Sequence, residues 1–449
     1  MIFEVYLQTQ FVHLFKLTNK MPLRLRSDSP NYRKFLHAFK EDRSTPSVYV
    51  TALVAKISQM VAKYGDKAII AYNRMFDKSK SNLLCFNPKS IAIHLTDEEE
   101  RLLIQLKVSY DRILSYHLNQ MPSSSFYTDE RGVCLGQKWT PIKSVGVYLP
   151  GGTANYLSSM LMNCIPAQIA GVKYIYLATP NVELINQPLF IACAIMCGVK
   201  LIYPFGGAQA IAAMSLGTRS VRKVDKIVGP GNTFVTAAKR LASKTTGTDC
   251  IAGPSESIVM ADRTNSHWAT AMDVVSQLEH DKNALSVLIT RSFSLNSLIR
   301  TKIKALCKLL PRRDVIAHGW SSNGISIVCA STASALATIN FISSEHVHIS
   351  SMNPFNIANR VINAGAIFVG PNTSIALGDY ISGTNHVLPT SAAVRFSSGL
   401  NVLDFMKKSS FVWAKRSLTY LTPFCATAAL LEGMHAHALS LIIKLSSFW

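Results

Sequence analysis

Charge is scarce in this chain, and acid is scarcer than base. Only 16% of the 449 residues are Asp, Glu, Lys or Arg, and 26 acids face 46 bases for a formal net charge of +20. The surplus base is scattered singly or in pairs, as at Lys407-Lys408 and Arg312-Arg313. Holding a phosphate backbone takes clustered charge, and no nucleic-acid-binding motif is present. A nucleic-acid partner is therefore set aside, and the charge reads as surface drift that at most steers anionic ligands. Cys-x-x-Cys is missing too. The nine cysteines are an odd number placed mostly inside apolar runs, which suits reduced thiols in the cytoplasm. Nothing approaches the run of about 20 mainly apolar residues that a membrane span needs. The longest uncharged stretch, between Lys143 and Lys173, is broken by Pro150, Gly151, Gly152, Asn155, Asn163, Pro166 and Gln168. In the opening MIFEVYLQTQFVHLFKLTNK, Glu4, Gln8, Gln10 and His13 interrupt any apolar core, so it does not read as a signal peptide. Two familiar motifs, Gly-x-Gly-x-x-Gly and His-Glu-x-x-His, are also absent.

What is present is a globular chain, 48% hydrophobic and long enough for two or more domains. Residues 21–143 read as mainly helical and connective. LVAKISQMVAKYGDKAIIAYNRMFD suits two helices joined at Gly65, and Thr96 caps a long amphipathic pattern with an acidic first turn. From Ser144 the rhythm changes to short apolar strands alternating with helices: SVGVYLP, VKYIYLATP, VKLIYPFGG and VDKIVGPGN are strands with their turns. SSMLMNCIPAQIAG reads as a helix interrupted by Pro166. The echo of GVKYIY in GVKLIY, one unit later, marks repeated strand–helix units and hence a parallel sheet covered on both faces. In such sheets ligands bind at the carboxyl ends of the strands. Here those ends are Tyr148–Gly152, Phe205–Gln209 and Gly229–Asn232, where glycines allow close approach. They suit a nucleotide equally well as ordinary tight turns. A second α/β region follows, and the tail beyond Asn401 reads as helical and too short to hold a core of its own.

Four segments carry ionisable groups in apolar or Gly-rich surroundings: SQLEHD (Ser276–Asp281), SSEHVHIS (Ser343–Ser350), LGDYISGTNHVLPT (Leu377–Thr390) and EGMHAHA (Glu432–Ala438). On a helix, Gln277 and His280 share a face while Glu279 points away. Each segment also has a plain structural explanation, as a hydrogen-bonded histidine, a loop cap or a solvated edge.

From Met21 to Leu445 the sequence resembles the histidinol dehydrogenase family. The resemblance is densest in VGVYLPGGTANYLSSMLMNCIPAQIAGV, GGAQAIAAM, VDKIVGPGNTFVTAAKR, IAGPSE, SQLEHD, SEHVHIS, GDYISGTNHVLPT, RFSSGLNVLDFMK and EGMHAHA, in the family's order and approximate spacing. It implies two Rossmann-like, doubly wound but incomplete parallel-sheet domains in an α/β fold, with small helical N- and C-terminal extensions. Residues 144–254 would be the dinucleotide-binding domain, and 44–143 with 255–400 the catalytic one. Residues 1–43 would form an extension and arm, and 401–449 a tail contacting the partner subunit. The implied reaction is oxidation of L-histidinol through its aldehyde to L-histidine with two NAD⁺. Gln277, His280, Asp379 and His437 would bind one Zn²⁺, a mixed N/O set that zinc accepts. Glu345 and His346 would be catalytic, the histidine as base and the carboxylate activating water. Ser255, His386 and Glu432 would contact substrate along with the zinc ligands and His346. Tyr148, Gln209 and Asn232 would contact NAD⁺, and His437 and Glu432 would act across a homodimer.

The chain departs from the family at Ser343-Ser344, where Ala-Pro is usual, at His348, where an acid is usual, and at Leu157. The segment Leu241–Cys250 is short, and residues 1–20 precede the usual start, which makes Met21 a candidate first residue. Three other readings stand beside the main one: a relative acting on another amino alcohol, a cysteine enzyme using Cys134 or Cys164, and a basic binding protein on an inactive enzyme fold. Neither cysteine has a histidine or charge as its immediate neighbour to favour a thiolate. Turnover of Cys134→Ala and Cys164→Ala variants is therefore expected to survive with metal content unchanged. Loss of turnover in both, with zinc retained, would replace the Glu-His scheme by a thiohemiacetal one.

Overall fold

A computed structural model describes residues 22–42, 48–77, 81–151, 157–250, 253–414 and 418–446. The readings for residues 1–20, and for most of the turn that follows Pro150, lie outside the described residues. In chain order the strands are β1 (Leu23–Arg26), β2 (Ser125–Thr128), β3 (Val133–Pro141), β4 (Ser144–Tyr148), β5 (Tyr174–Ala178), β6 (Val199–Tyr203) and β7 (Lys226–Val228). Then come β8 (Gly247–Thr248), β9 (Glu256–Ala261), β10 (Leu285–Thr290), β11 (Gly324–Val328), β12 (His346–Ser350), β13 (Ala366–Val369) and β14 (Met406–Ala414).

Two of the three sheets are parallel. One has the order β6-β5-β4-β7-β8 and the other β1-β11-β10-β9-β12-β13. Leaving β1 aside, both orders run outward in two directions from their first strand, β4 or β9, which is the doubly wound arrangement. The α/β expectation holds. Every residue of β9, β10 and β12 is buried, as strands covered on both faces require. The crevice at a reversal of strand order lies between β4 and β7, so the turns after Tyr148 and Val228 flank it.

Three features differ from the sequence reading. Leu23–Arg26 is an edge strand, parallel to β11, and not part of a detached arm. The helices over 48–118 share their cores with the 144–254 sheet: Val54, Ile57 and Val61 pack with Tyr203 and Ile211, and Ile113 packs with Leu161 and Ile165. The grouping of 44–143 with 255–400 therefore does not describe how these helices pack. Finally, the tail opens with a strand. Met406–Ala414 carries β-favouring Phe411, Val412 and Trp413 and pairs antiparallel with β3, which β2 covers on its other side. Helices Leu418–Leu431 and His435–Ser446 follow, and Phe424, Leu431 and Ile443 remain well exposed.

Pro166 does not interrupt its helix, which runs unbroken from Leu157 to Ala170. A proline inside a helix has no N–H for the carbonyl four residues back, here that of Met162. The Asn385 side chain supplies the missing donor, Nδ2 to Met162 O at 2.7 Å. Its Oδ1 accepts from Val387 N at 2.9 Å, and Nδ2 also lies 3.3 Å from His117 Nε2. The helix break that the sequence suggests is thus a docking point for the loop from Leu377 to Thr390. Replacing Asn385 by Leu should destabilise the fold by about 1–3 kcal/mol, the usual cost of stranding buried polar groups. In a Pro166→Ala background, where Met162 O regains a helical donor, the same change should cost measurably less in a urea-unfolding double-mutant cycle.

Candidate active site

The side chains singled out by sequence gather where two sheet edges face each other. Ser255 and Glu345 immediately precede β9 and β12, so both lie at the amino edge of the six-stranded sheet. Helix His267–Leu278 runs back along that sheet, which returns Gln277 to the same edge. Ser159 starts the helix after β4 and therefore lies at the carboxyl edge of the other sheet. His386 joins the two edges: its Nε2 is 3.3 Å from Ser159 Oγ and its Nδ1 is 2.9 Å from Asp379 O. A carbonyl only accepts, so Nδ1 carries the proton and Nε2 accepts from the serine. Burial lowers the His386 pKa, which keeps the ring neutral.

Glu345 and His346 are both buried. Glu345 Oε2 accepts from Glu256 N at 3.0 Å, and His346 Nδ1 donates to Glu256 O at 3.4 Å. The backbone of one residue, Glu256, thus holds both side chains through the two peptide groups that flank its Cα. With Nδ1 protonated, His346 Nε2 carries the lone pair and faces Asp379 Oδ1 at 3.9 Å. Burial, reinforced by His280 and His386, pushes the His346 pKa down from its ordinary value to about 3, so the ring is neutral and able to take a proton. Burial likewise raises the Glu345 carboxyl well above the usual range, and the Glu256 and Asp379 carboxylates add to the effect against the opposing Glu256 amide. The Glu256 side chain reaches onward, its Oε1 accepting from Ser391 N at 3.0 Å. Ser391 and Ala392 both sit in the left-handed region, at φ of 55° and 61°.

Three of the four expected metal ligands come together. Asp379, on helix Ile375–Tyr380, bonds to Gln277 and feels the charge of His280; burial raises its pKa while these two neighbours oppose the shift. His280 is not on the helix as the sequence reading has it. The helix ends at Leu278, Glu279 caps it in a helical conformation, and His280 N lies 3.5 Å from Gln277 O. Glu279 faces Tyr380. Gln277 is buried, yet its Oε1 has no hydrogen-bond partner. A buried amide oxygen without a partner, beside an imidazole and a carboxylate, fits a divalent cation such as zinc. Glu432 and His437 stand exposed on the tail. Among the described residues of the single chain, no three His, Cys, Asp or Glu side chains close on one point.

At the five-stranded sheet, Tyr148 and Gln209 are buried and work inside one turn. Tyr148 OH accepts from Gly207 N at 3.1 Å, while Gln209 Nε2 lies 3.5 Å from Asp77 Oδ2. Asn232 Oδ1 caps helix Thr233–Ala242 through Phe234 N and Val235 N, at 3.0 and 3.1 Å. Gly229, at φ 111°, lies against Tyr148 O and leaves no room for a Cβ. Its N–H donates to Asp249 Oδ2 at 2.7 Å and its carbonyl accepts from Lys239 Nζ at 2.8 Å, while Lys239 and Asp249 form a buried ion pair. Sequence reasoning did not single out Ser159, Glu256, Asp77 or this ion pair. Ser159, Glu256, Asp77 and Lys239 all lie in stretches quoted above, but no local pattern marked them there; Asp249 does not. All nine cysteines are free, and Cys164 lies buried against Cys197.

Two of the departures from the family pattern, Ser343 and His348, have local explanations. Ser343 ends helix Thr332–Ile342 in a left-handed conformation, φ 55°, with its Oγ donating to Asn340 O at 2.8 Å. His348 is fully buried: Nε2 donates to Gly370 O at 2.9 Å, and Nδ1 pairs with Asp273 Oδ2 at 3.2 Å. Asp273 is one turn before Gln277, so this pair ties the strand bearing His346 to the helix bearing Gln277.

The family model for histidinol dehydrogenase matches residues 40–445. The histidinol dehydrogenase of Mesorhizobium japonicum is 40% identical over 429 residues, covering 95% of this chain and 100% of that one. The one from Rhodospirillum rubrum is 40% identical over 433 residues, covering 96% and 100%. A crystal structure of histidinol dehydrogenase from Elizabethkingia anophelis superposes with a TM-score of 0.84 at 30% identity, covering 96% of this chain and 99% of that chain.

The His348–Asp273 pair has a pH signature. Burial lowers the His348 pKa, but Asp273 and Gly370 O outweigh it and the net shift is upward. A raised folded pKa means that the stabilisation is complete below the unfolded value, about 6.5, and fades as pH climbs through the folded one. His348→Gln should cost about 3–5 kcal/mol near pH 6, since it leaves Asp273 unpaired. In urea unfolding, the gap between wild type and variant should narrow as pH rises beyond the unfolded value of about 6.5.

Proposed function

The chain belongs to the histidinol dehydrogenase family, and on that premise we propose that the crevice between its two parallel sheets oxidises L-histidinol, through L-histidinaldehyde, to L-histidine with NAD⁺. The observation that carries the reading is the buried Glu345–His346 pair, held by the backbone N–H and carbonyl of Glu256 beside the Gln277–Asp379 contact. In the first oxidation His346 Nε2 takes the hydroxyl proton while the carbinol carbon gives a hydride to NAD⁺. Water then adds to the aldehyde. Glu345, once ionised, accepts a proton from that water, and a second hydride transfer yields the carboxylate. Ser255, His386 and Glu432 hold the substrate, and Tyr148, Gln209 and Asn232 shape the dinucleotide site.

Gln277, His280 and Asp379, with His437 from a second copy of the chain, would hold one zinc ion. A zinc ion there supplies positive charge that anchors the substrate's imidazole and amino nitrogens and favours the ionised form of Glu345. The unpartnered Gln277 Oε1 supports this ligand set, and the exposed apolar residues of the tail support a homodimer that shares its sites. No helix among the described residues is long and apolar enough to cross a membrane, and with nine free thiols the cytoplasm is the compartment we propose.

Two outcomes test this reading. NADH absorbance should report two NADH per histidine formed, lost on chelation and restored by zinc; Glu345→Gln should stall at the aldehyde, and His346→Ala should lose roughly 10²–10⁴-fold in kcat. For the shared site, Gln277→Ala and His437→Ala chains should each be inactive alone. Mixed and re-associated, they should regain activity, because every heterodimer then holds one intact site. Failure to complement, with heterodimers present, would mean that His437 does not act across subunits.

A further inference from the structure

The 144–254 unit has almost no acid to offer a dinucleotide. Its acidic residues are Glu183, Asp225 and Asp249 alone. Asp249 is buried against Lys239 and the Gly229 amide. Asp225 lies before β7, at the edge away from the turns, where its Oδ2 accepts from Lys143 N, Ser144 N and Ser144 Oγ. Glu183 is exposed on the four-residue helix Val182–Ile185. Yet discrimination of an unphosphorylated ribose in a doubly wound sheet rests on a carboxylate that accepts from the ribose hydroxyls.

Asp77 brings one in from outside the unit. It caps helix Asp66–Phe76, which packs through Ile69 and Ala68 into the core of this sheet. Its carboxylate accepts from Gly206 N–H and, at 3.5 Å, from Gln209 Nε2, so it sits on the turn after β6 that Tyr148 OH also holds. Gln209 is buried behind it, whereas Asp77 is half-buried and reaches the surface. The reacting end of a dinucleotide belongs near His346 and Ser159, at the end of β4. Asp77 is two strands away at the end of β6, about 10 Å by strand spacing, which places it beside the other half of the cofactor.

We propose that the Asp77 carboxylate accepts the ribose hydroxyls of the cofactor's adenosine half and that its charge excludes a 2′-phosphate, making it the residue that selects NAD⁺ over NADP⁺. This rests on the NAD⁺ reading above and adds its specificity device. A ribose diol donates to a carboxylate in charge-assisted bonds, while a phosphate at the same point meets a like charge that is only partly screened. Asparagine keeps the size and an oxygen for the Gly206 amide but removes the charge.

The test is steady-state kinetics with NAD⁺ and with NADP⁺ at saturating L-histidinol for wild type, Asp77→Asn, Asp77→Ser and Glu183→Gln, with thermal midpoints for each. For Asp77→Asn the expected result is a KM for NAD⁺ raised about 10-fold, as loss of a charge-assisted bond implies. The kcat should stay within about 2-fold, and the preference for NAD⁺ over NADP⁺ should fall at least about 10-fold. Glu183→Gln should leave the preference unchanged. An unchanged preference in both Asp77 variants overturns the inference, as does an equal loss with both cofactors, which would mean that Asp77 only holds the turn. A shift in Glu183→Gln instead overturns it in favour of that residue. A wild-type enzyme that uses neither dinucleotide overturns the cofactor reading itself.

Discussion

The Met162 carbonyl is the hinge of this structure. Pro166 removes its helical donor, and Asn385 replaces it from a loop more than two hundred positions away. That bond fixes the loop carrying Asp379 and His386 against the helix carrying Ser159. His386 then spans the gap with both ring nitrogens engaged, one to Ser159 and one to the Asp379 carbonyl. The vacant acceptor in the middle of the helix gives the asparagine amide its shortest bond in that buried region, with His117 Nε2 beside it. A residue that usually weakens a helix here connects the two halves of the site.

The halves meet with opposite polarity. The five-stranded sheet presents the carboxyl ends of its strands, where turns can take a dinucleotide. The six-stranded sheet presents amino ends, where Ser255, Glu345 and the returning Gln277 converge. Placing chemistry at an amino edge leaves the backbone of Glu256 available, and its N–H and carbonyl hold Glu345 and His346 respectively. The same burial that positions these two side chains also neutralises them, one by raising a carboxyl pKa and the other by lowering an imidazole pKa. A bound cation would favour the ionised form of Glu345.

Much of this was legible in the sequence. Strand–helix alternation from Ser144 onward, the Thr96 N-cap and the turns at Gly206 and Gly229 depend on residues close together in the chain, and they recur in the structure. The shared helical face read for Gln277 and His280 does not, because the helix ends two residues before His280. The first residues and the tail read less well. β1 and β14 are strands because β11 and β3 offer open edges, and a short apolar run does not state which edge will accept it. His348 stands where the family has an acid, and only the fold places Asp273 beside it, one turn before Gln277.

The sequence by itself determined the class of fold, the family and the identity of the ionisable side chains, because each is written in local pattern and spacing. Tertiary structure alone decided that Asn385 answers Pro166, that the backbone of one residue, Glu256, holds both catalytic candidates, and that Asp77 reaches from the end of its helix to the turn after β6. It also left Glu432 and His437 outside the single chain's site. The reason is physical: an unsatisfied carbonyl or a buried carboxylate demands a partner without specifying its position in the chain. Only packing settles which distant residue supplies it.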